Sequence, residues 1–298
     1  MRVLILGSNG QLGQELQYES CQKSDLDCLF LPKYSLDITN KGQIDNFLKN
    51  NSFDYIINCA AYTNVNNSES DPDAAFLVNQ IAIKYLVNGI MHYCPDTRFI
   101  HISTDYVFNA IDEKPMTEYE YTDPINTYGE SKLRGEIELQ KIPINSLILR
   151  TSWLYSSFGS NFVKKIVSAS SSGKELYVVN DQIGSPTYAG DLAQGIFKIL
   201  SMHHEAASLF KSKQIYHFSN HGSCSWFELS EQIIKLLKLN TVIHPVDTVI
   251  EEGDCPRPKF SVLCSKKFEA DFNYSIPAWR DSLKKCINKI TGNDFVYK

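Results

Sequence analysis

The sequence predicts an α/β fold, a doubly wound parallel sheet followed by a smaller C-terminal α/β lobe. Short apolar runs alternate with helical periods through the first half of the chain, and a glycine-rich turn directly follows the first run. Uninterrupted apolar runs separated by helices are typical of parallel strands that are covered on both faces. With 298 residues, 43% of them hydrophobic and 21% charged, the chain is long enough to bury a large core.

The predicted elements of the first half alternate regularly. The expected strands are 2–6, 27–31, 54–58, 98–103 and 145–150, and the expected helices are 11–20, 40–50, 72–93 and 126–141. Within the helix at 72–93, apolar residues recur every three or four positions and form one buried stripe, made of Ala75, Val78, Ala82, Leu86 and Ile90. This half therefore has the order of a parallel sheet with crossover helices.

After residue 150 the alternation becomes less regular. The expected helices are 160–171, 189–200, 225–238 and 279–290, the expected strands are 175–179, 214–219 and 241–246, and a proline-rich loop covers 255–260. We therefore divide the chain into a dinucleotide-binding domain, 1–150, and a mainly substrate-binding lobe, 151–298. Segments near 188–220 are candidates to return to the first sheet.

Composition and charge exclude several classes of protein. The net charge of -5 comes from 29 basic and 34 acidic residues that are intermixed, so we expect no nucleic-acid partner and no anionic membrane surface. The early apolar run "VLILG" is far shorter than the roughly 18 residues of a membrane span. The 8 cysteines form no CxxC pair, and His217 and His221 lack a third ligand nearby, so no metal site is predicted. We expect a cytoplasmic protein with reduced cysteines.

The stretch "GSNGQLG" places Gly7, Gly10 and Gly13 between the first strand and the first helix. Such a turn lets the backbone approach a pyrophosphate, and the helix N-terminus adds free N–H groups and a positive dipole end. The turn predicts a Rossmann-like dinucleotide site. The second strand ends with Lys33 and no acidic residue before Asp37, which favours the 2'-phosphate of NADPH and leaves NADH open.

A phenol and an amine lie one helical turn apart in "TYGESKLRGE", at Tyr128 and Lys132. The fourth strand delivers Ser103, Thr104, Asp105 and Tyr106 to the same edge of the sheet. A lysine about 4 Å from the phenol would favour phenolate by roughly 4 kcal/mol and lower its pKa by about 3 units. We expect Tyr128 to donate a proton to a carbonyl oxygen that Thr104 also binds, beside a hydride carrier.

Motifs along nearly the whole chain resemble the extended short-chain dehydrogenase/reductase family, and within it the reductases that form dTDP-rhamnose. The matching stretches are "GSNGQLG", "NCAAYTNV", "STDYVF", "YGESKLRGE", "RTSWLY", "NDQIGSPT" and "RPKFSVL". The resemblance implies that Thr104, Tyr128 and Lys132 are catalytic. It also implies that NADPH or NADH reduces the C4 ketone of a nucleotide-linked 4-keto-6-deoxy sugar, with dTDP-4-dehydro-L-rhamnose as the expected substrate.

The resemblance further implies the binding residues. For the cofactor they are Gly7, Asn9, Gly10, Gln11, Leu12, Gly13, Lys33, Asp37, Ile38, Ala60, Ala61, Tyr62, Asn79, Ser103, Tyr128 and Lys132. For the nucleotide sugar they are Thr104, Asp105, Tyr106, Trp153, Asn161 and Arg257, with the guanidinium of Arg257 on the diphosphate.

Three other functions are known for proteins of this fold and remain alternatives. A sugar-nucleotide dehydratase has an Asp-Glu pair after the active-site threonine, whereas Asp105 is followed here by Tyr106. An epimerase would keep its nicotinamide cofactor bound through turnover. A non-catalytic regulatory subunit, like the β subunit of methionine adenosyltransferase, would oxidise no NADPH with a ketosugar. The sequence leaves a homodimer open as well.

Overall fold

The computed structural model describes residues 1–110, 112–170, 175–249 and 254–292. Within these residues the strands are β1 (Arg2–Leu6), β2 (Asp27–Leu31), β3 (Tyr55–Asn58), β4 (Arg98–Thr104), β5 (Ser146–Thr151), β6 (Leu154–Tyr155), β7 (Leu176–Val179), β8 (Ile183–Gly184), β9 (Thr187–Tyr188), β10 (Ile215–His217), β11 (Cys224–Ser225) and β12 (Ile243–Val246).

The α-helices in the same ranges are α1 (Gln11–Ser20), α2 (Lys41–Asn50), α3 (Val65–Ser70), α4 (Pro72–Phe76), α5 (Ala82–Tyr93), α6 (Thr127–Lys141), α7 (Phe162–Ser170), α8 (Ala189–Ser201), α9 (Ala207–Lys211), α10 (Trp226–Leu237), α11 (Lys266–Phe272) and α12 (Trp279–Thr291). A π-helical turn (Leu77–Ile81) joins α4 to α5, and a 3-10 turn (Asp105–Val107) follows β4.

Six parallel strands form the central sheet, in the order β2-β1-β3-β4-β5-β10. This confirms the predicted doubly wound α/β fold. The chain runs from β1 to β2 on one side and then returns to β3 on the other, so the winding direction reverses between β1 and β3. Ligands of open α/β sheets bind outside the carboxyl ends of the strands at such a reversal. The glycine turn lies at this point, directly after β1.

The predicted elements are present with ends that differ by at most about two residues, as is normal for sequence-based boundaries. The predicted end of one helix, Ser171, lies outside the described residues. The expected helix at 72–93 contains the π-helical turn, which the apolar spacing did not reveal. The sequence reading missed α3, α9 and α11, because each is short and lacks a long apolar period.

The last strand of the sheet, β10, comes from the second half of the chain. It pairs with β5 through Ile215 and Ile148, and through His217 and Arg150. Part of the segment near 188–220 therefore lies in the central sheet. The assignment of separate cofactor and substrate domains stays a prediction.

Apolar residues cover both faces of the sheet. One cluster joins β1, β3, β4 and β5 to helices α1 and α8, and the other joins the opposite faces of these strands to α2 and α5. A third cluster lies outside the sheet and brings together α7, α10 and α12 around Tyr155 and Trp279. The site at the carboxyl edge thus has the sheet on one side and this third cluster on the other.

The helical run Pro72–Tyr93 is long and apolar enough to cross a membrane by length and composition alone. In the structure 44% of its apolar 18-residue stretch is buried. The predicted stripe residues Ala75, Ala82, Leu86 and Ile90 are fully covered by the core. The burial is that of a core helix which packs on a sheet. The cytoplasmic location of the protein stays a prediction.

A buried ion pair fastens α6 to the sheet. Arg150 on β5 donates from Nε to Oε1 of Glu136 at 2.9 Å and from Nη2 to Oε2 at 2.6 Å, and both side chains are at most 3% exposed. Breaking one partner of such a pair leaves an uncompensated buried charge. We expect Glu136→Gln to lower the free energy of unfolding by about 3–5 kcal/mol, measured by urea denaturation.

The matched control is Glu130→Gln on the same helix. Glu130 pairs with Arg134 at 3.1 Å, and both side chains are about half exposed, so its loss should cost less than about 1 kcal/mol. Equal losses in the two variants would contradict the assignment of the pair at Arg150 as a buried anchor.

Candidate active site

A cavity of about 600 Å³ opens at the carboxyl edge of the sheet. It brings together residues from the glycine turn, from the ends of β3, β4 and β5, from the start of α6 and from the C-terminal lobe. Of the sequence-predicted site residues, those that line it are Asn9, Gly10, Gln11, Leu12, Ala61, Ser103, Thr104, Asp105, Tyr106, Tyr128, Lys132, Trp153, Asn161 and Arg257.

Two glycines fix the shape of the turn after β1. Gly7 has a φ of +73°, and a Cβ there would lie 2.5 Å from the backbone nitrogen of Ala60. A Cβ on Gly13 would lie 2.5 Å from Cα of Ser8. These two positions allow α1 to pack closely on the sheet. Gly10 stands at the N-cap of α1 without a side chain, so the first amides of the helix face the cavity without a side-chain cap.

The end of β4 presents hydroxyl and carboxyl groups. The hydroxyl of Thr104 accepts from the amide of Tyr106 at 3.2 Å and donates to Oδ1 of Asp105 at 3.0 Å. Among the described residues, the hydroxyls of Ser103 and Thr151 and the Oδ2 atom of Asp105 are buried without a hydrogen-bond partner. Because buried polar atoms normally have partners, these three atoms are suited to a polar ligand.

Several hydrogen bonds hold the N-terminus of α6 in place. The side chain of Asn126 caps the helix by accepting from the amide of Gly129 at 2.8 Å. Glu69 on α3 accepts from the amide and the hydroxyl of Thr127 at 2.8 and 2.7 Å. The adjacent Tyr128 meets the ring of Tyr106 edge to face, with centroids 5.7 Å apart. The phenol is therefore fixed at the edge of the cavity.

The direction of the pKa shift of Tyr128 differs from the sequence prediction. Burial raises the pKa of this phenol above its usual value, and a hydrogen bond with Thr104 only partly opposes that effect. The ammonium of Lys132 donates to the carbonyl of Ile102 at 2.7 Å. The predicted lowering of the Tyr128 pKa by Lys132 is wrong in this structure, because spacing along a helix carries no information about burial.

Lys132 itself is buried. Burial lowers the pKa of its amine to about 8, although the carboxylate of Glu136 nearby partly opposes the shift. The lysine therefore remains mainly protonated at neutral pH, and the hydrogen bond to Ile102 uses one of its three N–H donors.

Some predicted cofactor residues lie behind the cavity wall. The side chain of Asn79 is buried in the π-helical turn, where it accepts from the amide of Tyr62 at 2.9 Å and donates to the carbonyl of Tyr62 and to the hydroxyl of Ser131. Its amide is thus used within the protein, where it positions the loop after β3. The side chain of Ile38 packs in the core instead of facing the cavity.

The other predicted cofactor residues that do not line the cavity lie near the glycine turn. Ala60 lies against Gly7, and the amide of Gly7 donates to the carbonyl of Leu31 at the end of β2. Lys33 follows two residues later, is exposed, and lies 3.9 Å from Oδ2 of Asp37. A cation is thus available at the edge beside the turn.

Two of the predicted substrate residues, Asn161 and Arg257, reach the cavity from the C-terminal half of the chain. Arg257 donates from Nη2 to Oδ1 of Asn66 at 2.9 Å, so its charge has a neutral partner there. The amide of Asn161 donates to the carbonyl of Ser156 at 2.7 Å and to Oε1 of Gln11 at 2.9 Å, which links the C-terminal lobe to the glycine turn.

The loop of Arg257 is also tied to α6. Asn126 donates to the carbonyl of Pro256 at 2.9 Å, and the thiol of Cys255 contacts Oε1 of Glu69 at 3.5 Å. Sequence reasoning missed Glu69, and it also missed Phe162 and Trp226 in the cavity wall. A capping box, Ser225 with Glu228, marked the start of α10 in the sequence, but gave no sign that Trp226 faces the cavity.

The carboxyl of Asp105 makes stability depend on pH. Burial raises its pKa from 3.8 to about 7, so the folded protein holds this proton more tightly than the unfolded chain. Stability therefore falls as pH rises between these two values. Between about pH 5 and pH 8 we expect the free energy of unfolding of the wild type to fall by about 3 kcal/mol relative to Asp105→Asn, measured by urea denaturation.

The exposed carboxylate of Asp112 provides a control, and Asp112→Asn should keep the pH dependence of the wild type. Parallel pH profiles for the wild type and Asp105→Asn would contradict the raised pKa.

The fold and the site define the class of the protein. A doubly wound sheet, a glycine turn after its first strand, and Thr104, Tyr128 and Lys132 in one cavity are the features of a short-chain dehydrogenase/reductase.

The family follows from comparisons with known proteins. Residues 1–291 match the model described as the RmlD substrate binding domain, and the chain belongs to that family. It is 35% identical to the spore coat polysaccharide biosynthesis protein SpsK of Bacillus subtilis, over 97% of each chain. It is 31% identical to the dTDP-4-dehydrorhamnose reductase of Escherichia coli, over 97% of this chain and 98% of the relative.

Solved structures agree with this placement. The dTDP-4-dehydrorhamnose reductase of Bacillus anthracis, solved in complex with NADP, superposes with a TM-score of 0.87 at 35% identity and covers 96% of this chain and 98% of its own. The dTDP-4-dehydrorhamnose reductase orthologue of Clostridium acetobutylicum gives a TM-score of 0.88 at 33% identity, over 98% of this chain and 100% of its own.

Proposed function

We propose that the protein is an NADPH-dependent reductase of nucleotide-linked 4-keto-6-deoxy sugars, with dTDP-4-dehydro-L-rhamnose as its substrate in dTDP-rhamnose biosynthesis. The observation that carries the proposal is that Thr104, Tyr128 and Lys132 share one cavity with the glycine turn. Relatives of nearly full length that bear the name dTDP-4-dehydrorhamnose reductase support the choice of substrate.

The residues at the carboxyl edge fit a nicotinamide dinucleotide. The uncapped start of α1 and the close backbone packing at Gly7 and Gly13 suit a pyrophosphate. The buried, unpartnered hydroxyls of Ser103 and Thr151 suit the polar groups of a nucleotide ligand. Lys33 beside the turn supports NADPH through its 2'-phosphate. When bound, the reduced nicotinamide supplies the hydride.

Side chains of the protein supply the proton and stabilise the charges that its transfer creates. Reduction of a ketone to an alcohol needs one proton besides the hydride, and a phenol kept neutral by burial is in the form that can donate it. Tyr128 donates this proton to the ketone oxygen, and the hydroxyl of Thr104 stabilises the charge that develops on that oxygen. Lys132, charged at neutral pH, stabilises the phenolate that remains.

Arg257 binds the diphosphate of the substrate. A guanidinium presents a planar fork of donors that matches phosphate oxygens, and the hydrogen-bond partner of Arg257, Asn66, is neutral. We assign Asp105 and Tyr106, which also line the cavity, to the hydroxyl groups of the sugar.

The test is a panel of NADPH oxidation assays with 4-keto-6-deoxy sugars linked to dTDP, UDP and GDP. We expect steady turnover with the dTDP-linked ketosugar. No oxidation with any member of the panel would overturn the proposal and would support a regulatory subunit of the same fold.

A further inference from the structure

The short helix α3 contacts both the start of α6 and the segment of Arg257. On α3, Asn66 accepts from Nη2 of Arg257 at 2.9 Å. One turn later, Glu69 accepts from the amide and the hydroxyl of Thr127 at 2.8 and 2.7 Å, and from the thiol of Cys255 at 3.5 Å. Residues three apart lie on the same face of a helix. One face of α3 therefore joins helix α6 to the segment that carries Arg257.

The carboxylate of Glu69 holds the first turn of α6. Thr127 is the first residue of that helix, so its amide has no partner within the helix. Burial alone would raise the pKa of Glu69, but the hydrogen bonds from Thr127 lower it below the usual value, so the carboxylate is charged at neutral pH. A negative charge at a helix N-terminus is stabilised by the helix dipole. Because Tyr128 directly follows Thr127, Glu69 fixes the backbone from which the phenol projects.

The rest of α6 is held independently of Glu69. Asn126 caps the amide of Gly129 at 2.8 Å, and a Cβ on Gly129 would lie 2.1 Å from the carbonyl oxygen of Tyr106, so the helix rests directly on the backbone after β4. Further along, the buried carboxylate of Glu136 fastens the same helix to β5. We expect loss of Glu69 to loosen the first turn of α6 without unfolding the helix.

The segment of Arg257 depends on the same carboxylate. Cys255 donates to Oε1 of Glu69, the oxygen that also accepts from the first amide of α6. The next residue, Pro256, is tied to α6 as well, because its carbonyl accepts from Asn126 at 2.9 Å. One carboxylate oxygen thus contacts both segments, and its removal loosens both at once.

Building on the proposed function, we propose that Glu69 is a positioning residue for ketosugar reduction. Glu69 is outside the cavity lining and acts through Thr127 and Cys255. It sets the place of the Tyr128 phenol relative to the segment that binds the diphosphate. A misplacement of reacting groups by about 1 Å can cost about a hundredfold in rate, even when the change is far from the chemistry.

The test compares the single-turnover rate constant of ketosugar reduction in the wild type, Glu69→Ala and Glu69→Gln at saturating NADPH and ketosugar. We expect Glu69→Ala to lower the rate constant by about 10-fold to 100-fold. Glu69→Gln keeps a carbonyl oxygen for Thr127 and should stay within about threefold of the wild type. The rate constant, unlike the amplitude, does not depend on the fraction of folded enzyme, so a purely structural role would leave it unchanged. A normal rate constant in Glu69→Ala overturns this proposal alone and leaves the proposed function intact.

The matched control is Asp71→Ala. Asp71 caps the neighbouring helix α4 by accepting from the amide of Ala74 at 3.2 Å, so its loss lowers stability as the loss of a helix cap does. Because this cap serves α4 and not α6, the rate constant of Asp71→Ala should match that of the wild type. An equal fall in Asp71→Ala and Glu69→Ala would show a general defect and would also overturn the proposal.

A second measurement needs no turnover. Amide hydrogen exchange, followed by mass spectrometry of peptides, reports the opening of local structure. In Glu69→Ala we expect exchange to be faster by about 2-fold to 30-fold, both in peptides that cover Thr127 and in peptides that cover Arg257. Unchanged exchange in either segment would overturn the proposal. If both segments exchange faster but the wild type reduces no ketosugar, the proposed function fails and the joint anchoring by Glu69 stands.

Discussion

Tyr128→Phe is expected to lower the single-turnover rate of ketosugar reduction by at least about a hundredfold, the usual scale of general acid catalysis. The variant removes one oxygen from a buried ring and keeps its edge-to-face contact with Tyr106. Binding of NADPH, measured by fluorescence titration, should stay within about threefold of the wild type, since the change is confined to the hydroxyl.

Tyr121→Phe is the control for this experiment, because Tyr121 is 85% exposed and outside the cavity, and it should turn over like the wild type. A normal rate for Tyr128→Phe would remove the phenol from the mechanism. A slow rate in both variants would point to a general defect instead.

Lys132→Met is expected to reduce kcat/KM by about a hundredfold or more without lowering stability, because it removes a charge that orients the reacting groups. Charging a buried amine whose pKa is about 8 costs the folded protein about 3 kcal/mol at neutral pH. Lys132→Met removes that cost, but it also loses the hydrogen bond to Ile102, which is worth about 1–3 kcal/mol. The free energy of unfolding should therefore stay the same or rise.

The two readouts are measured on one sample, by NADPH oxidation and by urea denaturation. Lys141→Met, an exposed change on the same helix, should leave both unchanged. If Lys132→Met lost stability in proportion to activity, Lys132 would be a structural residue and its proposed role in catalysis would fail.

The sequence predicted well what depends on neighbouring residues. Tyr128 and Lys132 share one helix, and Thr104 ends a strand, so periodicity and topology alone brought them to one edge of the sheet. The glycine turn was equally readable, because strand, turn and helix follow one another without a break.

What the sequence could not provide depends on residues far apart in the chain. The high pKa of Tyr128 results from burial by several elements, which a Coulomb estimate for one neighbouring lysine ignores. Asn79 was expected at the cofactor, but a π-helical turn directs its amide to Tyr62 and Ser131. Trp226 reaches the cavity from the start of α10, directly after β11, which pairs with the distant strand β8.

The ties from Asn126 and Glu69 to the loop of Arg257 have a consequence for the length of acceptable substrates. The backbone before Arg257 and the helix turn of Tyr128 are held together by these hydrogen bonds, so the protein fixes where the Arg257 side chain begins relative to the phenol. The site therefore selects substrates by the length of the link between sugar and nucleoside. We therefore expect a sugar joined to its nucleoside through a single phosphate to be reduced more slowly than one joined through a diphosphate.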